Sequence, residues 1–330
     1  MLAGGGSRGA WQAGCLDVLH RAGFHFDIVA GTSVGALNGA LWCQGDAGRY
    51  EEVWAEVGKL PRVALSKTEA RHPLRWLRLL LGASPGLGPV ARLLAMAAAQ
   101  AFGESTLGAL EVVEHEALRD FLHRRIRPDR LRSPESPELY VTVSPAQAWR
   151  AIVAHAVGKQ VEASYIRVAG LEGSAIEQLL LASAAIPFVF PPVEVAGKTY
   201  IDGGVGDNEP AAFARAVGAQ AVVVVGAGPE TRLVHARGEV TMQLIALEED
   251  GGISSMLDFS AGRLRQLFRR GQGAAEAYLD RQARAFALPA AARRLEKMRS
   301  RLGVTSGPDR DAALFAQARA TLEASRKRPE

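Results

Sequence analysis

Two glycine-rich turns, GGGSRG at 4–9 and GTSVG at 31–35, fall within the first 35 residues, each where an apolar segment gives way to a helix-like one. Few folds accept that arrangement. A chain that runs from strand through a sharp turn into a helix, twice within about 50 residues, is building an α/β sheet with crossover helices. The strand stub is Leu2 and Ala3, followed by a helix from about Ala10 to Ala22 with Gly23 as its stop. Phe26 to Ala30 reads as a strand buried on both faces, and helices follow through Trp42 and over about Arg49 to Gly58.

Beyond this the rhythm loosens and then returns. Residues 60–110 are richer in Pro, Gly, Ala and Arg and read as an inserted helical cap. A helix near His115 to Ile126 precedes strand-like runs at Leu139 to Ser144, Ala151 to Ala154 and about Tyr165 to Val168. A helix around Ala175 to Ala184 leads to IPFVFPPVEV, then to a strand at Thr199 to Ile201 that runs into DGG at 202–204. AVVVVG at 221–226 is the most strand-like stretch, and from Met256 onward the pattern is helical. The greasy segment Leu74 to Phe102 is broken by Arg75, Arg78, Pro85, Pro89 and Arg92, which excludes a simple membrane span.

GGGSRG satisfies G-x-G-x-x-G through Gly4, Gly6 and Gly9, but a dinucleotide site needs an acid at the far end of the following strand. Asp27 lies near the start of that strand, and no Gly-Lys-Ser/Thr follows to make a phosphate loop. What remains is a nest of backbone N–H groups at a helix N-terminus, suited to a phosphate or to the oxyanion of an acyl-transfer intermediate. GTSVG narrows the choice: a serine on a strand-to-helix turn stands exposed at the sheet edge, with Gly31 and Gly35 removing Cβ atoms from the bend. Oxyanion donors and the nucleophile Ser33 would then share one edge.

A serine nucleophile needs a base. The order Ser33, Asp202, His235 could form a triad, yet Ser33 follows only one strand and His235 lies in a polar stretch without strand or turn definition. His20, His25, His72, His115, His123 and His155 fall mostly on helix-like or cap segments. Asp202, at a strand end beside Gly203 and Gly204, is the stronger candidate, and desolvation would raise its pKa towards the working range. That would make a Ser–Asp dyad.

These residues resemble the patatin-like phospholipase family, bacterial branch. GGGSRG is similar to its oxyanion loop, GTSVG to its nucleophile elbow, DGG to its dyad motif, and residues 182–210 to its approach to the aspartate. The resemblance covers about residues 1–226 and implies a three-layer α/β/α sandwich with a mostly parallel central sheet, hydrolysing acyl esters of lipids without metal or cofactor. It also implies Ser33 as nucleophile, Asp202 as general base, and Gly4, Gly5, Gly6 and the Arg8 region as oxyanion hole, with Gly9, Gly31, Gly35, Gly203 and Gly204 supporting the turns. Only Met1, Leu2 and Ala3 precede Gly4, so the first strand is short, or the true start lies upstream. A catalytically silent lipid- or partner-binding protein of the same fold is the alternative reading.

Charge bears on partners. The chain carries 39 basic and 35 acidic residues, and from Ser255 to Glu330 the balance is 16 against 8, leaving 23 against 27 in residues 1–254. The expectation is a mildly acidic catalytic domain, 1–226, and a C-terminal helical region, 227–330, whose basic tail meets anionic membrane surfaces. Leu74 to Leu81, with Trp76, Arg75 and Arg78, suits an interfacial helix or a packed cap helix, and Arg263, Arg265, Arg269 and Arg270 punctuate the tail. No recognition-helix or aromatic-interleaved basic pattern supports nucleic-acid binding. Cys15 and Cys43 sit in apolar stretches, and MLAGGGSRGA has no basic and apolar leader, so the expected setting is cytoplasmic, with buried thiols and peripheral membrane contact.

Overall fold

The structure, a computed structural model, describes residues 1–64, 111–146, 162–187, 189–228, 241–247 and 252–287. The cap beyond Ala64, the expected strand at Ala151 to Ala154, the Leu74 to Leu81 segment, His235 and the chain after Ala287 lie outside the described residues.

Helix α1, Gly9–Arg21, ends where Gly23 adopts φ +81° and the Phe24 amide returns to the Leu19 carbonyl. Strand β1, Ile28–Thr32, begins two residues later than the apolar run, and α2, Val34–Cys43, leaves it after a single residue. Helix α2 is apolar nearly all round and buried nearly all round. There follow α3, Tyr50–Val57, and an antiparallel ribbon of β2, Arg62–Ala64, with β3, Glu111–Val113. Then come α4, His115–Arg125, the short α5, Pro128–Leu131, and β4, Glu138–Pro145. Strand β5, Ser164–Arg167, α6, Gly173–Ser183, and the hairpin β6, Val193–Val195, with β7, Lys198–Asp202, complete the middle of the chain. The last elements are α7, Ala211–Ala216, β8, Ala221–Gly226, β9, Thr241–Ala246, α8, Gly252–Leu257, and α9, Ala261–Ala287.

One mixed sheet organises these elements. Strand β4 pairs in parallel with β1 along one edge, and along the other it meets β5 and then β7, both antiparallel. Leu2 bridges β1 and β8 in parallel, at Gly31 and Val225, and β8 pairs in parallel with β9. Leu2 and Ala3 lie in the gap between these two strands: Leu2 donates to Ala30 and accepts from Thr32, while Ala3 donates to Val225.

Alternation along the strands sends side chains to two layers of helices. Leu139, Val141 and Val143 of β4, Val29 and Val225 join the large core shared by α1, α2, α3, α6 and α9. Ala30, Val222 and Val224 point to the other face, where α7 packs through Ala214.

The segment expected to be a separate helical extension contributes to this core. It supplies the strand β9, which the sequence reading did not foresee, and α9 lies against α1 with the backbones touching. A Cβ on Gly14 would fall 2.0 Å from the Phe268 carbonyl oxygen, and one on Gly271 would fall 1.9 Å from that of Trp11. Cys15 Sγ donates to the Gly271 carbonyl, and the Gln272 amide donates to Asp17. Helix propensity alone would favour alanine at position 271 by about 1 kcal/mol. The clash outweighs it: Gly271→Ala is expected to lower the unfolding free energy by about 2 kcal/mol or more in urea titrations, with loss of α1–α9 packing.

Candidate active site

Ser33 occupies the single residue between β1 and α2, with φ 53° and ψ −124°. A left-handed φ is strained for a side chain with a Cβ and persists only where the surroundings enforce it. They do so here from three sides. The Ser33 amide donates to Ser183 Oγ at 2.8 Å, and Ser183 passes its own proton to the Thr142 carbonyl at 2.7 Å. A Cβ on Gly31 would lie 2.6 Å from the Gly35 carbonyl oxygen, and one on Gly35 would lie 2.4 Å from that of Leu2, so both turn glycines are required by contact.

Asp202 reaches the same place from β7. Thr32 is level with Thr142 and Asp202 with Val143, so the two chains leave the ladder at matching heights on either side of β4. The Ser33 hydroxyl stands near enough to the Asp202 carboxylate to lower its pKa, and the carboxylate accepts the Gly204 amide at 2.7 Å. Burial pushes the Asp202 pKa from 3.8 up to about 6, against the Gly204 amide and the Ser33 hydroxyl, which pull it down. Gly203 must be glycine because a Cβ would sit 2.2 Å from the Thr142 carbonyl oxygen.

The glycine loop approaches from the first strand. A Cβ on Gly4 would be 3.3 Å from the Ser33 Cβ and 2.4 Å from Asn208 Oδ1, and Gly6 takes φ +55° under the carbonyl of Met256. The Gly4 amide is donated to the Asn208 carbonyl at 3.2 Å. The Gly5 amide has no acceptor among the described residues. Arg8, buried, donates from its guanidinium to the Ala227 carbonyl, bracing the loop from beneath. Gly9 packs against Val34 and Trp54, where a Cβ would collide with both.

Several residues at the site carried no signal in the sequence. Ser183 looked like one more helix residue. Asn208 ties the glycine loop to the aspartate loop, its side-chain amide donating to the Gly4 carbonyl at 3.3 Å, and Thr32 Oγ1 donates to the Asp207 carbonyl. The other unforeseen feature is a cavity lined by Gly6 and Ser33 and otherwise walled by apolar side chains, among them Leu37, Trp54, Leu122, Leu180 and Phe190. Of the described histidines, His123 is bonded to Glu177 and His20 meets the edge of Trp42. No group of three or more His, Cys, Asp or Glu among the described residues could hold a metal ion.

A family model described as patatin-like phospholipase matches residues 1–215, well over half of the chain. The chain belongs to the patatin-like phospholipase family. The match takes in the patatin-like glycine loop, elbow and aspartate turn together and stops before β8. Relatives of this patatin-like chain include the lysophospholipase nte1 of Aspergillus terreus, 42% identical over 74 residues, which are 21% of this chain and 5% of that one. Neuropathy target esterase sws of Drosophila persimilis is 54% identical over 43 residues, 13% of this chain and 3% of that one. The chain therefore spans a few per cent of the length of these relatives. Among solved structures, VipD from Legionella pneumophila aligns over 98% of this chain and 85% of its own, at 13% identity and a TM-score of 0.35.

Ser183 is a positioning residue, since it touches the Ser33 backbone and not the hydroxyl. Its replacement by alanine leaves a buried N–H unpaired, a cost of about 1–3 kcal/mol that falls on the strained turn. Ser183→Ala should slow labelling of Ser33 by a fluorophosphonate about tenfold or more, in a protein whose far-UV spectrum is unchanged.

Proposed function

We propose that this protein is a lipid acyl-ester hydrolase, of phospholipase A or lysophospholipase type or a more general lipid esterase, working through a Ser33–Asp202 dyad. The observation that carries this reading is the placement of Ser33, on a strained strand-to-helix turn, beside a buried aspartate and at an apolar cavity. A serine hydroxyl beside a base is an activated nucleophile, and a carboxylate lifted to about 6 is ionised at neutral pH yet basic enough to accept its proton.

Ser33 Oγ attacks the ester carbonyl carbon while its proton passes to Asp202. The tetrahedral oxyanion is met by the amides of Gly5 and Gly6, donors fixed in advance by the loop. As the intermediate collapses, the leaving alkoxide takes the proton from Asp202 and departs as an alcohol, leaving an acyl-Ser33. Water then attacks the acyl carbon, giving its proton to Asp202, and Asp202 returns that proton to Ser33 Oγ as the acyl bond breaks and the fatty acid leaves. No step calls for a metal or an organic cofactor.

The lipid's other end meets the surface. No helix among the described residues is long and apolar enough to cross a membrane, and Arg265, Arg269 and Arg270 are exposed on α9. The reading is peripheral attraction to anionic head groups through this face, worth about 1 kcal/mol per arginine near such a surface. The double variant Arg265→Glu/Arg269→Glu should sediment less with phosphatidylserine vesicles while hydrolysing a soluble short-chain ester at the parental rate.

For the chemistry, Ser33→Ala should lose at least ~10⁴-fold in kcat. Hydrolysis by the parent should fall along one acidic limb with its midpoint near pH 6, as Asp202 takes up a proton. Turnover by Asp202→Asn with loss in His235→Ala would overturn the dyad in favour of a triad. Because burial raises the Asp202 pKa on folding, its ionised form costs the fold about 3 kcal/mol above pH 6, a cost that shrinks as pH falls from 6 towards 3.8. Asp202→Asn, inactive, should therefore melt higher than the parent at pH 8, with the difference narrowing in acid.

A further inference from the structure

The glycine loop has little of its own to hold it. Four of the six residues in GGGSRG are glycine, and Gly6 takes φ +55°, from a backbone with many other conformations open to it. The two side chains present, Ser7 and Arg8, are both buried, and both reach for carbonyls beyond the matched residues 1–215. Ser7 Oγ donates to the Ser255 carbonyl at 2.9 Å, and the Arg8 guanidinium donates to the Ala227 carbonyl at 3.2 Å. Met256, next in α8, sets its own carbonyl oxygen 2.3 Å from where a Gly6 Cβ would stand. Ser255 is held in turn from α9: Arg263, in the first turn of that helix, donates to the Ser255 hydroxyl, and Leu264 beside it is buried in the main core. A chain of contacts thus runs from α9 through Arg263, Ser255 and Ser7 to the loop.

We propose that Ser7 is a positioning residue for ester hydrolysis, and that Ser255 and Arg263 carry its hold from the C-terminal helix to the glycine loop. The proposal rests on the reading of Ser33 as nucleophile and of the Gly5 and Gly6 amides as oxyanion donors. Such donors act only when aimed before the charge develops, and a displacement of about 1 Å can cost about 10²-fold in rate. Ser7 follows Gly6 directly, so a hydroxyl tied to α8 fixes the peptide that joins them, while the Met256 carbonyl crowds Gly6 itself. The hydroxyl does not serve the oxyanion, because its proton is given to the Ser255 carbonyl. Its effect therefore falls on turnover rather than on substrate affinity, and it leaves the base alone.

The test uses the full chain with p-nitrophenyl butyrate, followed from about pH 5 to about pH 9. Ser7→Ala should lower kcat about tenfold or more, with KM within about twofold of the parent and the acidic limb in its parental place. It should weaken an alkyl trifluoromethyl ketone, which forms an oxyanion on Ser33, by the same factor as kcat. Should Ser7→Ala fail to fold, Arg263 gives a handle from outside the loop. Arg263→Met should lower kcat about threefold, and Arg263→Lys, which keeps a donor for Ser255, should restore it. Where both variants fold, their effects share one path, so Ser7→Ala/Arg263→Met should be no slower than Ser7→Ala alone. Parental kcat in Ser7→Ala, a loss confined to melting temperature, or losses that multiply in the double variant would overturn the proposal and leave the hydrolase reading in place. A parent that neither hydrolyses esters nor reacts with a fluorophosphonate would overturn both.

Discussion

The site depends on how closely α2 lies against the first strand. Gly35 has no room for a Cβ because the carbonyls of Leu2 and Ala3 occupy its place, at 2.4 and 2.7 Å. That contact brings the elbow helix onto the strand that carries the glycine loop, and it sets Gly4 beside Ser33. The strand itself is held on both sides by backbone bonds to β1 and β8, and the Gln12 amide adds bonds to the carbonyls of Ala3 and Val225. Gln12 is linked to Asn38 of α2, and Asn38 to Trp54 of α3, so a fully buried and satisfied polar network spans the three helices behind the loop. Such a network is costly to break and has one geometry, which fixes the helices behind the glycine loop.

Asp202 shows opposing effects settled by magnitude. The Gly204 amide and the Ser33 hydroxyl favour the carboxylate, yet the loss of water outweighs them and the pKa rises to about 6. Were the aspartate on the surface, the same groups would depress it, and it would be too weak a base to help a hydroxyl.

The C-terminal helix changes the view of how the molecule is divided. Charge counting set the stretch from Ser255 onward apart as a basic appendage, and on its exposed side α9 does carry Arg265, Arg269 and Arg270. On its inner side Leu264, Leu267, Phe268, Ala275, Tyr278 and Leu279 complete the core that α1 begins. A helix can be an appendage by charge and a core element by packing, since the two properties belong to different faces.

Much of the site was legible from residue order alone, and for a physical reason. Strand-to-helix turns that crowd a backbone need glycines at set offsets, so GTSVG, GGGSRG and DGG carry their geometry with them. The apolar run AVVVVG and the helices near Gly9 to Arg21 and Gly173 to Ser183 were visible by periodicity, with ends displaced by a residue or two. What the sequence by itself determined was therefore the family, the α/β class and the turns that set Ser33 and Asp202 at the sheet edge. Contacts between residues far apart in the chain are not written in local pattern. Only the tertiary structure decided that Ser183 holds the elbow, that Asn208 takes the Gly4 amide, that Asp202 is buried enough to be basic, and that Leu257 and Phe259 line the same cavity as Ser33 and Leu37, because each of these follows from which surfaces the sheet brings together.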